Sequence, residues 1–267
     1  MHANTPDLKV LLNIVEGVAT ITLNRPDRLN AIDVETDEAL RDAFEMAFVS
    51  ADCRVIVLTG AGRGFCAGAE RGVSGAVQPA PLRWSPTPDT IEQFRFNYLI
   101  DSPVPIIAAI NGAAIGVGLV MACLCDVRLA LDNAKLSFPY ARLGLIAEYG
   151  IAKVLPNLIG ASRAQELLLS GRQFSAREAQ EMGLVSHIAT QDVFVEMVQQ
   201  YAKSIAQECS PASLRAIRRQ LRAAPEQDLL ACAAQAGKEL QQIRQSHDYI
   251  EALTARRESR PPLFTGE

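Results

Sequence analysis

Histidine and cysteine are scarce in this sequence of 267 residues. Three histidines (His2, His187, His247) lie far apart, and six cysteines (Cys53, Cys66, Cys123, Cys125, Cys209, Cys232) include no C-x-x-C pair. No metal centre is expected from such spacing, and the thiols read as reduced and mostly buried rather than as a disulfide framework. No apolar run reaches the ~18 residues of a membrane-spanning helix, because Asp101, Asn111 and Asp126 interrupt the stretch 99–131. Positive charge is not in excess either. Against 30 Asp and Glu stand 26 Lys and Arg, and the resulting net charge of −4 repels phosphate polymers and anionic lipid. Neither nucleic acid nor a membrane is expected as a partner. Residues 1–10 have no basic or apolar region of a secretion signal, so a cytoplasmic location is expected.

What is present is a soluble-protein composition, 49% apolar and 21% charged, enough for a sizeable core. Leu8–Asn13 and Gly17–Leu23 read as a hairpin, since Val18, Thr20 and Thr22 alternate with Ala19, Ile21 and Leu23. From Glu35 to Ala51, apolar Leu40, Ala43, Phe44 and Ala47 recur at helical spacing. Arg54–Thr59 and Pro105–Ile110 are short apolar runs that suit strands buried on both faces. Strands alternating with helices imply an α/β fold with a parallel sheet.

The span Arg71–Pro88 holds four prolines and the single Trp84, and reads as a surface loop before a helix capped by Asp89 with Glu92. Ser162 with Gln165 and Ser175 with Glu178 have the spacing of capping boxes, the second helix ending at Gly183. Ser210-Pro211 suits an N-cap followed by the first helical position. Residues 1–190 are expected to form the α/β core. Residues 191–267 are expected to be a helical C-terminal region with a loose tail from Arg256.

Two glycine-rich loops each follow a buried strand, Thr59–Glu70 and Asn111–Gly118. Neither matches the G-x-G-x-x-G of a dinucleotide site, because Phe65 and Met121 stand where the third glycine belongs. In the second loop Val117 falls where an apolar helix, Leu119–Leu124, is about to begin, so its N–H is an unpaired donor at a helix N-terminus. With a second N–H from the Cys66-Ala67-Gly68 loop, the pair suits a carbonyl oxygen that gains charge during reaction. The other reading of both loops is a pair of tight strand-to-helix turns that need glycine for geometry.

Leu23-Asn-Arg-Pro-Asp-Arg-Leu-Asn-Ala-Ile32, Gly64-Phe-Cys-Ala-Gly-Ala-Glu70, and Asn111-Gly-Ala-Ala-Ile-Gly-Val-Gly118 followed by Cys125-Asp126 closely resemble the enoyl-CoA hydratase/isomerase (crotonase) superfamily. Ser170–Ala179 and Met182–Ser186 extend the resemblance over roughly residues 8–260. It implies a crotonase-like spiral of ββα units whose C-terminal helices build a homotrimer or a hexamer. It implies no permanently bound cofactor, with a CoA thioester as substrate. The thioester carbonyl would lie between the N–H groups of Ala67 and Val117, the adenine end beside Leu29 and Ala31, and Gly68, Ala69, Glu70 and Tyr140 near the bound thioester.

Hydratases of this family carry two glutamates, one three residues after the second oxyanion N–H and one directly after a proline following the next strand. Here those positions are Val120 and Tyr140, which cannot perform carboxylate chemistry. Val117 also replaces the glycine of hydratases. Glu148 matches the position where dienoyl-CoA isomerases keep a catalytic aspartate, and its apolar surroundings suit proton transfer near neutral pH. The other reading of Glu148 is a helix-cap carboxylate. Double-bond isomerisation with Glu148 as acid/base is the expected reaction. The alternatives are hydration with a recruited base, hydrolysis or decarboxylation of a CoA thioester, and a non-catalytic acyl-CoA-binding protein. His187 is expected at the surface and Cys66 as a buried bystander.

Overall fold

A computed structural model describes residues 8–70 and 83–267. The first seven residues and 71–82, which hold most of the proline-bearing segment expected to be a loop, lie outside the described residues. The expected hairpin is present. β1 (Val10–Val15) pairs antiparallel with β2 (Val18–Leu23), and Glu16 and Gly17 make the turn at φ 50° and 86°, the two positive values that a two-residue hairpin turn requires. α1 (Val34–Val49) comes next, its first turn capped by the Asp33 side chain, which accepts from the Thr36 N–H at 2.7 Å.

From here each turn of the chain leaves one strand in each of two sheets. β3 (Val55–Gly60) runs parallel beside β2, and β4 (Gly64–Cys66) starts the second sheet. After α2 (Asn97–Ile100), β5 (Ile106–Ile110) returns to the first sheet and β6 (Ala113–Ile115) to the second, before α3 (Val117–Leu124). A third turn gives β7 (Val127–Leu131), β8 (Lys135–Ser137), α4 (Ile151–Ile159) and α5 (Ala161–Ser170). β9 (Gln173–Ser175) pairs antiparallel with β8, and after α6 (Ala176–Glu181) β10 (His187–Ala189) pairs parallel with β7. The sheets have the orders β1-β2-β3-β5-β7-β10 and β4-β6-β8-β9. This is the α/β spiral of ββα turns.

Two of the three-residue strands, β4 and β6, lie inside the glycine-rich loops, and close backbone approach explains the glycines. A Cβ at Gly112 would stand 2.2 Å from the Arg63 carbonyl oxygen, and one at Gly118 would stand 2.3 Å from that of Cys66. The core between sheets and helices is aliphatic, with Ile56, Leu58, Ile106, Ile107, Leu119 and Leu136 fully buried.

The capping box at Ser175 and the cap at Ser210 form as expected. That at Ser162 does not: α5 starts at Ala161 from Gly160 (φ 83°), so the serine is already inside the first turn. Asp89 caps no helix either, because the next element is a single 3-10 turn, Ile91–Gln93, and the Asp89 N–H is bonded to the Gln93 side chain at 3.0 Å.

Beyond residue 190 the secondary structure is helical. α7 (Phe194–Glu208) buries Phe194, Val198, Ala202 and Ala206 in the same core as the sheet, and the helices standing outside are α8 (Pro211–Ala223), α9 (Leu229–Ile243) and α10 (His247–Glu258). Arg218 fastens α8 to the body through both oxygens of Asp126 (3.0 and 2.9 Å) and the carbonyl oxygen of Leu99 (2.6 Å). The C-terminal residues are not loose. Arg54 donates to the Phe264 carbonyl at 2.7 Å, and Asp248 accepts from the N–H groups of Thr265 and Gly266. Among the described residues no helix is long and apolar enough to cross a membrane.

Candidate active site

The two glycine-rich loops meet where α3 begins. The missing Cβ of Gly118 lets the first turn of α3 rest on Cys66, and Gly68, at φ 106°, lies against the Ile115 carbonyl. Val117 is the first residue of α3, preceded by Gly116, which offers no side-chain cap. Its N–H is therefore one of the unpaired donors of a helix start, in the positive end of the helix dipole.

The second donor differs from expectation. The Ala67 N–H is hydrogen-bonded to the Leu29 carbonyl at 2.9 Å. A backbone N–H carries one hydrogen, so Ala67 is corrected from oxyanion donor to loop anchor. Further along the loop, Gly68 O accepts from Ile32 N–H at 2.9 Å, and Glu70 N–H donates to Ile32 O at 2.8 Å. Between these bonds the N–H of Ala69 has no acceptor among the described residues, and Ala69 is exposed.

The segment expected beside adenine is held rigidly against this loop. Leu29 and Asn30 both have positive φ (49° and 57°), and fully buried Asn30 donates to the carbonyls of Ala61 and Gly64 at 2.9 and 2.7 Å. Arg25 donates to the Ala31 carbonyl and pairs with Asp33 at 3.2 Å and Glu70 at 2.7 Å. Glu70 thus braces the first glycine-rich loop. Neither Asn30 nor Arg25 stood out in the sequence, because each acts on backbone groups that only the fold brings near.

Val120 is fully buried and Tyr140 is 3% exposed. The Tyr140 hydroxyl has no partner among the described residues. Burial pushes its phenol above the usual value, and the charge of nearby Glu148 pushes it further. Glu148 lies at the edge of a cavity of about 390 Å³ that is also lined by Trp84, Phe94, Arg95 and Tyr149. Tyr140 does not line it. Glu148 is the one carboxylate among the described lining residues, half-buried, and its side chain has no hydrogen bond or ion pair among them. Nor does it cap α4, whose N-cap is Gly150.

Arg95 forms the cavity's polar wall and was not legible in the sequence. It is 8% exposed; its Nε reaches both Asp37 oxygens at 3.1 and 3.2 Å, and its Nη1 donates to the Tyr149 hydroxyl at 2.8 Å. The guanidinium lies 5.1–5.2 Å from the ring centres of Trp84, Phe96 and Tyr149, within cation–π range. Trp84 Nε1 donates to Asp37 at 3.1 Å. The charge of Arg95 is also felt at Cys66, in the first glycine-rich loop, and favours its thiolate. Burial nevertheless dominates there and pushes the Cys66 thiol up to about 12. The thiol is fully buried, as a bystander would be, and His187 is exposed.

Comparison with known families matches residues 13–267 to the one described as enoyl-CoA hydratase/isomerase. The 1,2-epoxyphenylacetyl-CoA isomerase of Escherichia coli (strain K12) is 33% identical over 266 residues, covering 97% of this chain and 98% of that protein. The probable enoyl-CoA hydratase echA6 of Mycobacterium bovis is 36% identical over 252 residues, 94% of this chain and 97% of its own. Among solved structures, an enoyl-CoA hydratase from Bacillus anthracis superposes with a TM-score of 0.88 at 30% identity, covering 97% of this chain and 100% of that one.

Proposed function

This chain belongs to the enoyl-CoA hydratase/isomerase family and is an acyl-CoA-processing enzyme, and we propose that its reaction moves a carbon–carbon double bond within an enoyl thioester, with Glu148 carrying the proton. The observation that supports this most is the carboxylate inventory. Addition of water by a glutamate pair needs two carboxylates to hold one water. Here Val120 and Tyr140 occupy those positions, and Glu148 alone faces the cavity without a partner among the described residues.

In this reading the thioester carbonyl oxygen accepts from the N–H groups of Ala69 and Val117, and the adenine end lies beside Leu29 and Ala31. Glu148 removes a proton from the α-carbon of a β,γ-unsaturated thioester. The electron pair moves through the carbonyl, and the two N–H groups stabilise the oxyanion of the resulting dienolate. The carboxyl then returns its proton to the γ-carbon, which leaves an α,β-unsaturated thioester. No permanently bound cofactor takes part. The working unit is a homotrimer or hexamer, supported by α9, none of whose residues is buried although Leu229 and Leu230 are apolar; its place is the cytoplasm.

The test is product analysis. Trans-3-hexenoyl-CoA is expected to yield trans-2-hexenoyl-CoA, followed by the absorbance of the conjugated thioester. Conversion of trans-2-hexenoyl-CoA to 3-hydroxyhexanoyl-CoA at about 10 s⁻¹ or faster, a rate typical of an efficient enzyme, would contradict the proposal.

A further inference from the structure

Glu148 and Tyr149 are neighbours in sequence and both line the same cavity. Tyr149 has φ 53°, a left-handed conformation that bulky residues seldom adopt, and Gly150 comes next at φ 69° as the N-cap of α4. The Tyr149 ring packs against Phe96, 5.3 Å centre to centre at an interplanar angle of 68°. Its hydroxyl accepts from Arg95 Nη1 at 2.8 Å.

A guanidinium has donors and no acceptor. The hydroxyl therefore accepts from Arg95 and cannot donate back to it, so its own hydrogen must go elsewhere. Among the described residues the hydroxyl donates no hydrogen bond of its own. What the side chain faces is the cavity beside Glu148.

Resting on the acyl-CoA reading above, we infer that Tyr149 is a specificity-determining residue whose hydroxyl donates to an uncharged oxygen atom carried on the acyl chain, so that oxygenated acyl groups are preferred over plain hydrocarbon ones. Charge favours a neutral acceptor. The positive Arg95 is matched by Asp37, which leaves the carboxylate of Glu148 to repel an anionic tail. A ketone, ether or hydroxyl oxygen suits the donor. A hydrocarbon chain leaves the hydroxyl hydrogen without a partner once the cavity is filled, and discrimination by an unmet polar group is steep.

The probes are hexanoyl-CoA and its 4-oxo and 5-oxo derivatives, whose added ketone only accepts. Titration calorimetry on the full chain gives the ratio of dissociation constants. At least one oxo ligand is expected to bind about 5- to 20-fold tighter than hexanoyl-CoA, the range of one hydrogen bond, and Tyr149→Phe is expected to bring that ratio to within about twofold of one. Absence of any preference in the wild type, or an unchanged ratio in Tyr149→Phe, overturns the inference. Tighter binding of hexanedioyl-CoA than of either ketone overturns its neutral acceptor. Hexanoyl-CoA that does not bind at all removes the acyl-CoA reading itself. Should Tyr149→Phe fail to fold, 3-fluorotyrosine at position 149, a stronger donor, is expected to raise the ratio below neutral pH, and an unchanged ratio counts against the inference.

Discussion

The Ala67 N–H and the Leu29 carbonyl are hydrogen-bonded at 2.9 Å, and this bond decides which residue of the loop can meet a thioester. Leu29 lies in the segment expected beside adenine, so in the proposed function the bond would tie the nucleotide end of the substrate to its reacting end. The exposed Ala69 N–H stays unbonded among the described residues, and the proposed function pairs it with that of Val117.

Ala69→Pro deletes that donor without removing a hydrogen bond seen among the described residues. Turnover is expected to fall by about 10² to 10³, the scale for one oxyanion donor, while Ala69→Ser keeps most activity. Ala67→Pro is expected to act differently, lowering stability by about 1 kcal/mol through the lost Leu29 bond. Steady-state rates on variants shown to be folded by circular dichroism check both. Wild-type turnover in folded Ala69→Pro would count against the assignment.

Asp37→Ala leaves the Arg95 guanidinium, 8% exposed, without its carboxylate. A loss of about 3–5 kcal/mol is expected, the usual cost of stranding one member of a buried pair. Denaturant unfolding measures it. Trp84, the single tryptophan, donates to Asp37 and stacks near Arg95, so its emission is expected to shift in the variant. A change under about 1 kcal/mol would show the pair to be incidental.

Burial opposes ionisation of Asp33, but hydrogen bonds from Lys9 and Thr36, with the charge of Arg25, outweigh it and hold the carboxyl down to about 2. A depressed carboxyl contributes stability that is present above its unfolded value, near 3.8, and is lost as pH falls through the folded one. With the side chain about a quarter exposed, the contribution is about 1–2 kcal/mol after solvent screening. In Asp33→Ala the acid limb of stability against pH is expected to be shallower between about pH 4 and pH 2. Superimposable limbs for the variant and wild type would contradict this.

The long elements were legible because each satisfies a local rule. The hairpin and α1 declare themselves by periodicity, β3, β5 and the start of α3 by unbroken apolar runs, and Ser175 and Ser210 by caps whose partners lie three residues away. The second sheet was not legible, because β4, β6, β8 and β9 are three residues each and resemble loop. The spacing around Ser162 matched a capping box, but Gly160 takes the N-cap position two residues earlier. For the proposed site, Val117 is suggested by loop spacing and Glu148 by the family resemblance. The choice between Ala67 and Ala69 was not legible, since it depends on a carbonyl 38 positions away, that of Leu29. The Arg95 wall was hidden for the same reason: Asp37 and Arg95 stand 58 residues apart.

The central claim is that one carboxylate, Glu148, moves the proton. It is tested most directly by incubating trans-3-hexenoyl-CoA in deuterated water with wild type and Glu148→Gln, and monitoring both isomer formation and deuterium at the α- and γ-carbons. The wild type is expected to form the 2-enoyl product and to place deuterium at those carbons to the extent that the carboxyl exchanges with solvent. Glu148→Gln, folded and still binding CoA thioesters, is expected to lose isomerisation and labelling together by about 10² to 10⁴, the range for a general acid/base. Isomerisation and labelling at wild-type rates in the folded variant would contradict the account.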